Sequence, residues 1–89
     1  MRAMITVIGR DTVGIIAAVS RLLSDNNINI LDISQSVLQD LFAMVMLVDI
    51  SGAAIPLSQL SDMLDKKGVE MGVKIHVMHE EIFTSMHRI

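Results

Sequence analysis

Eighty-nine residues with no cysteine exclude a second core, a disulfide framework, a thiolate metal site and a catalytic cysteine. A net charge of −3, with no Lys/Arg cluster beyond Lys66-Lys67, and no Trp or Tyr, argues against nucleic acid or an anionic membrane as partner. At 52% hydrophobic and a mean hydropathy of +0.56 the chain is unusually apolar for its size, yet Asp49 interrupts its longest apolar stretch short of a membrane span. Arg2 is followed by strand-like sequence with no signal-peptide cleavage pattern, so the expected location is cytoplasmic.

Residues 2–8 read as a strand. The stretch Gly9-Arg10-Asp11-Thr12-Val13-Gly14-Ile15 then marks a change of period, from apolar alternation to the helical spacing of Ile15, Ile16, Val19, Leu22 and Leu23. The spacing predicts a helix over 12–25. Gly9 is expected to free the backbone φ and Gly14 to admit a close approach, with Asp11 or Thr12 capping the first helical turn. Such a corner offers unpaired N–H groups and a positive dipole end to a carboxylate or another anion. A tight strand-to-helix turn with no ligand is the alternative.

Asn26-Asn27 supplies the residue type that tolerates a left-handed helix exit. Residues 28–38 follow as a β-branched strand (Ile28, Ile30, Ile33, Val37), then the two-residue break Gln39-Asp40 and a strand over 41–51, which together predict an antiparallel hairpin. Gly52–Ile55 reads as loop and Pro56 as the opening of a second helix. Leu57, Leu60, Met63 and Leu64 point inward in that helix, Asp62 and Asp65 point outward, and Lys66-Lys67-Gly68 end it. Residues 73–78 read as the last strand. Glu80–Ile89 carries Ile82, Phe83, Met86 and Ile89 at helical spacing, which predicts a short amphipathic helix.

The order βαββαβ folds as a ferredoxin-like α+β sandwich: a four-stranded antiparallel sheet with both helices on one face, residues 1–79, plus a C-terminal extension, 80–89. The third strand tests this arrangement. Phe42, Met44, Met46, Val48 and Ile50 lie on one side, while Leu41, Ala43, Val45 and Leu47 make the other side apolar too. That open face calls for a cover, from a second subunit or from a C-terminal helix of its own or a neighbouring chain, and self-association follows.

Hydroxyls are the chain's candidate nucleophiles, and no base is placed against one. His76 and His79, three apart on a strand, point to opposite faces; on a helix they would share a face with Glu80 and suit Zn or Ni. With His76 and His79 on a strand, and His87 near the chain end, the expectation is no metal, no cofactor and no catalysis. Asp32 and Asp49 interrupt strands with no partner in view, at bulges or edges. Asn29 opens the second strand at the end of the sheet away from the glycine corner, so a side-by-side dimer would bring it to the corner of a second chain.

The glycine stretch 9–15, with Asn29-Ile30 fifteen residues after Gly14, resembles the signature of ACT domains, small βαββαβ regulatory modules that commonly bind amino acids. The resemblance spans residues 2 to about 79. The ending Ile82-Phe83-x-x-Met86-x-x-Ile89 resembles short free-standing ACT proteins and, more distantly, the ACT half of glycine-cleavage-system transcriptional regulators. The resemblance implies a ligand contacted by Gly9, Arg10, Asp11, Thr12, Val13, Gly14 and Ile15 of one subunit and by Asn29 and Ile30 across a dimer interface. Asn29 matches the pattern. Gly9 stands where serine-binding relatives carry a side chain, Asp11 replaces an amide, and Val13 stands where Pro is frequent. The expected function is a non-catalytic amino-acid sensor, a homodimer acting in trans on an enzyme or regulator. The alternative is a protein-interaction subunit with no small-molecule ligand.

Overall fold

A computed structural model describes residues 1–10 and 14–86. Seven elements follow in order: β1 (Arg2–Gly9), α1 (Ile15–Asp25), β2 (Asn29–Leu38), β3 (Leu41–Asp49), α2 (Leu57–Met71), β4 (Lys74–His79) and α3 (Glu80–Met86). The strands form one antiparallel sheet in the order β2-β3-β1-β4. This is the sandwich that the sequence predicts, with β1 and β3 central and β2 and β4 at the edges.

The period-2 pattern sorts the sheet into two faces. Ala3, Ile5 and Val7 of β1, with Phe42, Met44, Met46 and Val48 of β3, are buried under the helices. Ile15, Val19 and Leu23 of α1 and Leu60 and Leu64 of α2 close the core over them, with Ile75 of β4. Met44 and Met46 are thus core filler; no polar or charged residue is buried among the described residues. On the opposite face Met4, Ala43, Val45 and Leu47 are half-buried, while Ile8, Leu38 and Leu41 are exposed. The expected apolar open face is therefore present. α3 packs against β1 and β4, tied by a two-pronged pair from Arg2 to Glu80 (Nε to Oε1 3.0 Å, Nη2 to Oε2 2.7 Å), and Ile82 is exposed.

Several boundaries depart from expectation: β2 opens at Asn29 rather than at residue 28, and β3 ends at Asp49 rather than at residue 51, which leaves Ile50 beyond the strand. α1 begins at Ile15 rather than at residue 12, with Gly14 as its N-cap. α2 runs past Lys66-Lys67-Gly68 to Met71. Gly68 stays helical and buried because that face lies against β4, where a Cβ would stand 2.7 Å from the Val73 carbonyl oxygen. The stop is Gly72, left-handed at φ +72°, after which the Val73 N–H reaches back to the Gly68 carbonyl at 2.9 Å. β4 is accordingly displaced by one residue, to 74–79. The last helix is described only to Met86, and its expected continuation to Ile89 lies outside the described residues.

Candidate functional site

The glycine corner is built differently from its sequence reading. Gly9 closes β1 opposite Phe42, and its φ is not positive. What it needs is room: a Cβ there would overlap Val73 Cγ1 and stand 3.0 Å from Val73 Cβ, so β1 passes β4 too closely for a side chain. Gly14 has the conformational role instead. It sits at φ +79°, ψ −5°, with open space where a Cβ would be. The two glycines therefore exchange the reasons first given for them.

Gly14 accepts the Ala18 N–H at 2.9 Å as the first helical bond, and no side chain caps the N–H groups of the first turn among the described residues. The side chain of Ile15 is buried in the core, so any contact it makes with a ligand is through its backbone. Arg10 is exposed, 3.9 Å from Asp40 at the β2–β3 turn, which sets the corner beside the hairpin. The capping and contact roles expected of Asp11, Thr12 and Val13 lie outside the described residues.

Asn29 opens β2 and is exposed; Ile30, next along, packs against the core. Asn29 pairs with Asp49, whereas Gly9 pairs with Phe42. Those partners are seven residues apart on β3, about 23 Å. Within one chain the two halves of the expected site are at opposite ends of the sheet.

The Asn29 end is firmly braced. Asn27, left-handed at φ 58°, donates its Nδ2 to the Gly52 carbonyl at 2.8 Å, and the Ala54 N–H reaches the Asn26 carbonyl at 2.9 Å. Asp49 is not without a partner, as its position in a strand had suggested. Its Oδ1 accepts the Ser51 N–H at 2.9 Å and lies 3.8 Å from the Met1 ammonium. The Ser51 backbone N–H and then its hydroxyl hold the Asp49 carboxyl below the usual carboxylate range. Asp32, by contrast, does follow an edge-strand bulge, set between Ile30 and Asp32, and caps its own neighbour (Ile33 N–H to Oδ1, 2.9 Å).

A shallow groove of about 520 Å³ runs beside Asn29, lined by Ser20, Ser24, Asn27, Ile28, Asn29 and Ile30. Sequence reasoning missed Ser20 and Ser24. Their signal was their spacing, four apart on α1 and outside its apolar stripe, which places both hydroxyls along one line of the helix. His76 pairs with Thr6 on the open face and His79 with Ala3 on the other, so the two rings are divided between faces as expected. Among the described residues no group of three His, Cys, Asp or Glu is arranged to hold a metal ion, and no helix is long and apolar enough to cross a membrane.

Comparison with known proteins matches residues 2–78 to the model of the ACT domain family. A UPF0237 protein of Methanocaldococcus jannaschii is 52% identical over 88 residues, 99% of this chain and 98% of that protein. One from Clostridium acetobutylicum is 49% identical over 89 residues, the whole of both. Among solved structures, an ACT domain protein from Streptococcus pneumoniae is 37% identical at a TM-score of 0.82, covering 93% of each chain. A structure named as a glycine cleavage system transcriptional repressor has a TM-score of 0.71 at 23% identity, over 86% of this chain and 44% of that one, and shows the shared fold alone.

Proposed function

This chain belongs to the ACT domain family of regulatory ligand-binding modules, and on that premise we propose that it is a non-catalytic sensor, a cytoplasmic homodimer that binds an amino acid at the seam between its subunits. The observation that carries this reading is the separation of Asn29 from the glycine corner. No single chain can apply both to one small ligand, because they stand seven ladder steps apart. Antiparallel pairing of β2 with the β2 of a second chain sets the start of one strand beside the end of the other. It thereby carries Asn29 and the Ser20/Ser24 groove toward the corner of the other subunit. β2 suits that pairing: it is an edge strand of ten residues with no proline, and Leu31, Val37 and Leu38 are exposed on it.

At such a seam the first-turn N–H groups of α1, which no side chain caps among the described residues, face a ligand carboxylate, and the Asn29 amide both donates and accepts. The output acts in trans, on an enzyme or regulator, through whichever dimer geometry the ligand favours. A second reading, an interaction subunit that binds no small molecule, draws on the exposed Ile82 of α3 and the apolar residues of the open sheet face.

The test is a thermal-shift screen of the twenty amino acids against the protein and its Asn29→Ala variant. A ligand at about 100 times its Kd adds roughly 2.7 kcal/mol, a clear rise in Tm. The sensor reading expects a rise with one chemical class that Asn29→Ala abolishes. No rise with any amino acid at millimolar concentration favours the interaction subunit.

A further inference from the structure

We infer that the open sheet face is covered by the same face of a second copy, so that two edge-paired dimers stack into a tetramer. The inference rests on the edge-paired reading above for its area. Four strands at about 4.8 Å spacing, and some 25 Å of length, give a face of roughly 500 Å². Stacking one such face on another buries about 1,000 Å² in total, the lower limit of a specific interface. Two chains joined through β2 present twice that area on one continuous sheet, within the range of stable complexes.

The residues on the face say how it is covered. Cross-strand partners place Ser34, Val45, Thr6 and His76 in one row across the sheet. A two-fold axis along this row, perpendicular to the strands, lays each strand over its own copy with the other rows reversed. Leu47 then meets Ala43, a large residue against a small one, and Met4 meets Ile8. At the edges Asp32 comes over Ser36 and Lys74 over Met78, while on the axis itself Ser34, Val45, Thr6 and His76 each meet their own copy. The same axis is compatible with the two-fold of the β2 edge, and the two together close the assembly at four chains rather than extending it. The alternative axis, along the strands, sets β2 over β4, leaves Asp32 over Met78 and propagates the edge contacts without closure.

Light scattering after gel filtration tests this on the full chain, with circular dichroism as the control for folding. Wild type is expected at a four-chain mass and Val45→Asp at two. Leu31→Lys/Val37→Lys, which charges the β2 seam, is also expected at two. Because the chain has no cysteine, Val45→Cys gives a second measurement independent of any disruptive charge. Stacked sheets lie about 10 Å apart, so a bismaleimide of that span should join Val45→Cys into covalent pairs and leave Asp62→Cys, on the exposed side of α2, unjoined. A mass unchanged by Val45→Asp, or no cross-linking of Val45→Cys, overturns the covered face. Two chains in wild type, falling to one with Val45→Asp but unaffected by the lysine pair, would uphold the covered face and remove the edge reading instead.

Discussion

Gly9 and Val73 occupy one volume, and only the absence of a side chain at Gly9 lets β1 and β4 approach as they do. Gly9→Ala is expected to destabilise by about 1–3 kcal/mol, the ordinary cost of overpacking. The cost should fall sharply in Gly9→Ala/Val73→Ala, because the second change removes the methyl that the first one meets. A double-mutant cycle in urea measures the coupling, which should exceed about 0.5 kcal/mol for residues in contact. Strict additivity would mean that Gly9 is required for its backbone after all. The sequence shows that a glycine is needed at a strand end; it does not show which of glycine's two freedoms is used. Steric need at Gly9 depends on a residue 64 positions away, and nothing local to the corner reveals it. Asp49 is a similar case. Its partners come from a turn two residues on and from the start of β1, and an acid in a strand looks unpaired until the ladder is assembled.

The elements themselves were legible where one physical signal governed them. Apolar runs bounded by turn residues marked β1 and β3, and Asn27 adopts the left-handed conformation that its residue type tolerates, whereas in the hairpin turn it is Gln39, at φ 56°, that is left-handed. The end of α2 was misread because Lys66-Lys67-Gly68 matches a C-terminal pattern, basic residues then glycine, although the glycine serves packing. Gly68→Ala and Gly72→Ala separate these roles. In an exposed helix interior Gly→Ala gains about 1 kcal/mol; at Gly68 the new Cβ meets the Val73 carbonyl 2.7 Å away, and the change should instead destabilise. Gly72→Ala meets nothing but keeps a positive φ, for a cost of about 1–2 kcal/mol. Gly72→Asn should recover part of that loss, whereas Gly68→Asn should be worse than Gly68→Ala. Urea midpoints of the four variants decide it, and stabilisation by Gly68→Ala would show that α2 does not bear on β4 there.

For the whole molecule the question is whether one site draws on two chains. The separation was legible in the strand order, which puts Asn29 at the end of the sheet away from the corner, and the ladder gives it a length of seven residues on β3. Subunit exchange turns that distance into a measurement. Asn29→Ala spoils one half of the seam site and Asp11→Ala the other, and each variant alone should fail to bind whichever amino acid raises the wild-type Tm. Unfolding and refolding the two together lets mixed dimers form. In a mixed dimer, one seam receives both altered residues and the other receives neither. Random pairing makes half the dimers mixed, each with one intact seam, so about a quarter of all seams should regain binding. Titration calorimetry reads this as a return of stoichiometry at wild-type affinity. A site contained within one chain predicts no recovery at all, because every chain in the mixture carries a defect. A site needing only the corner predicts that Asn29→Ala never loses binding in the first place.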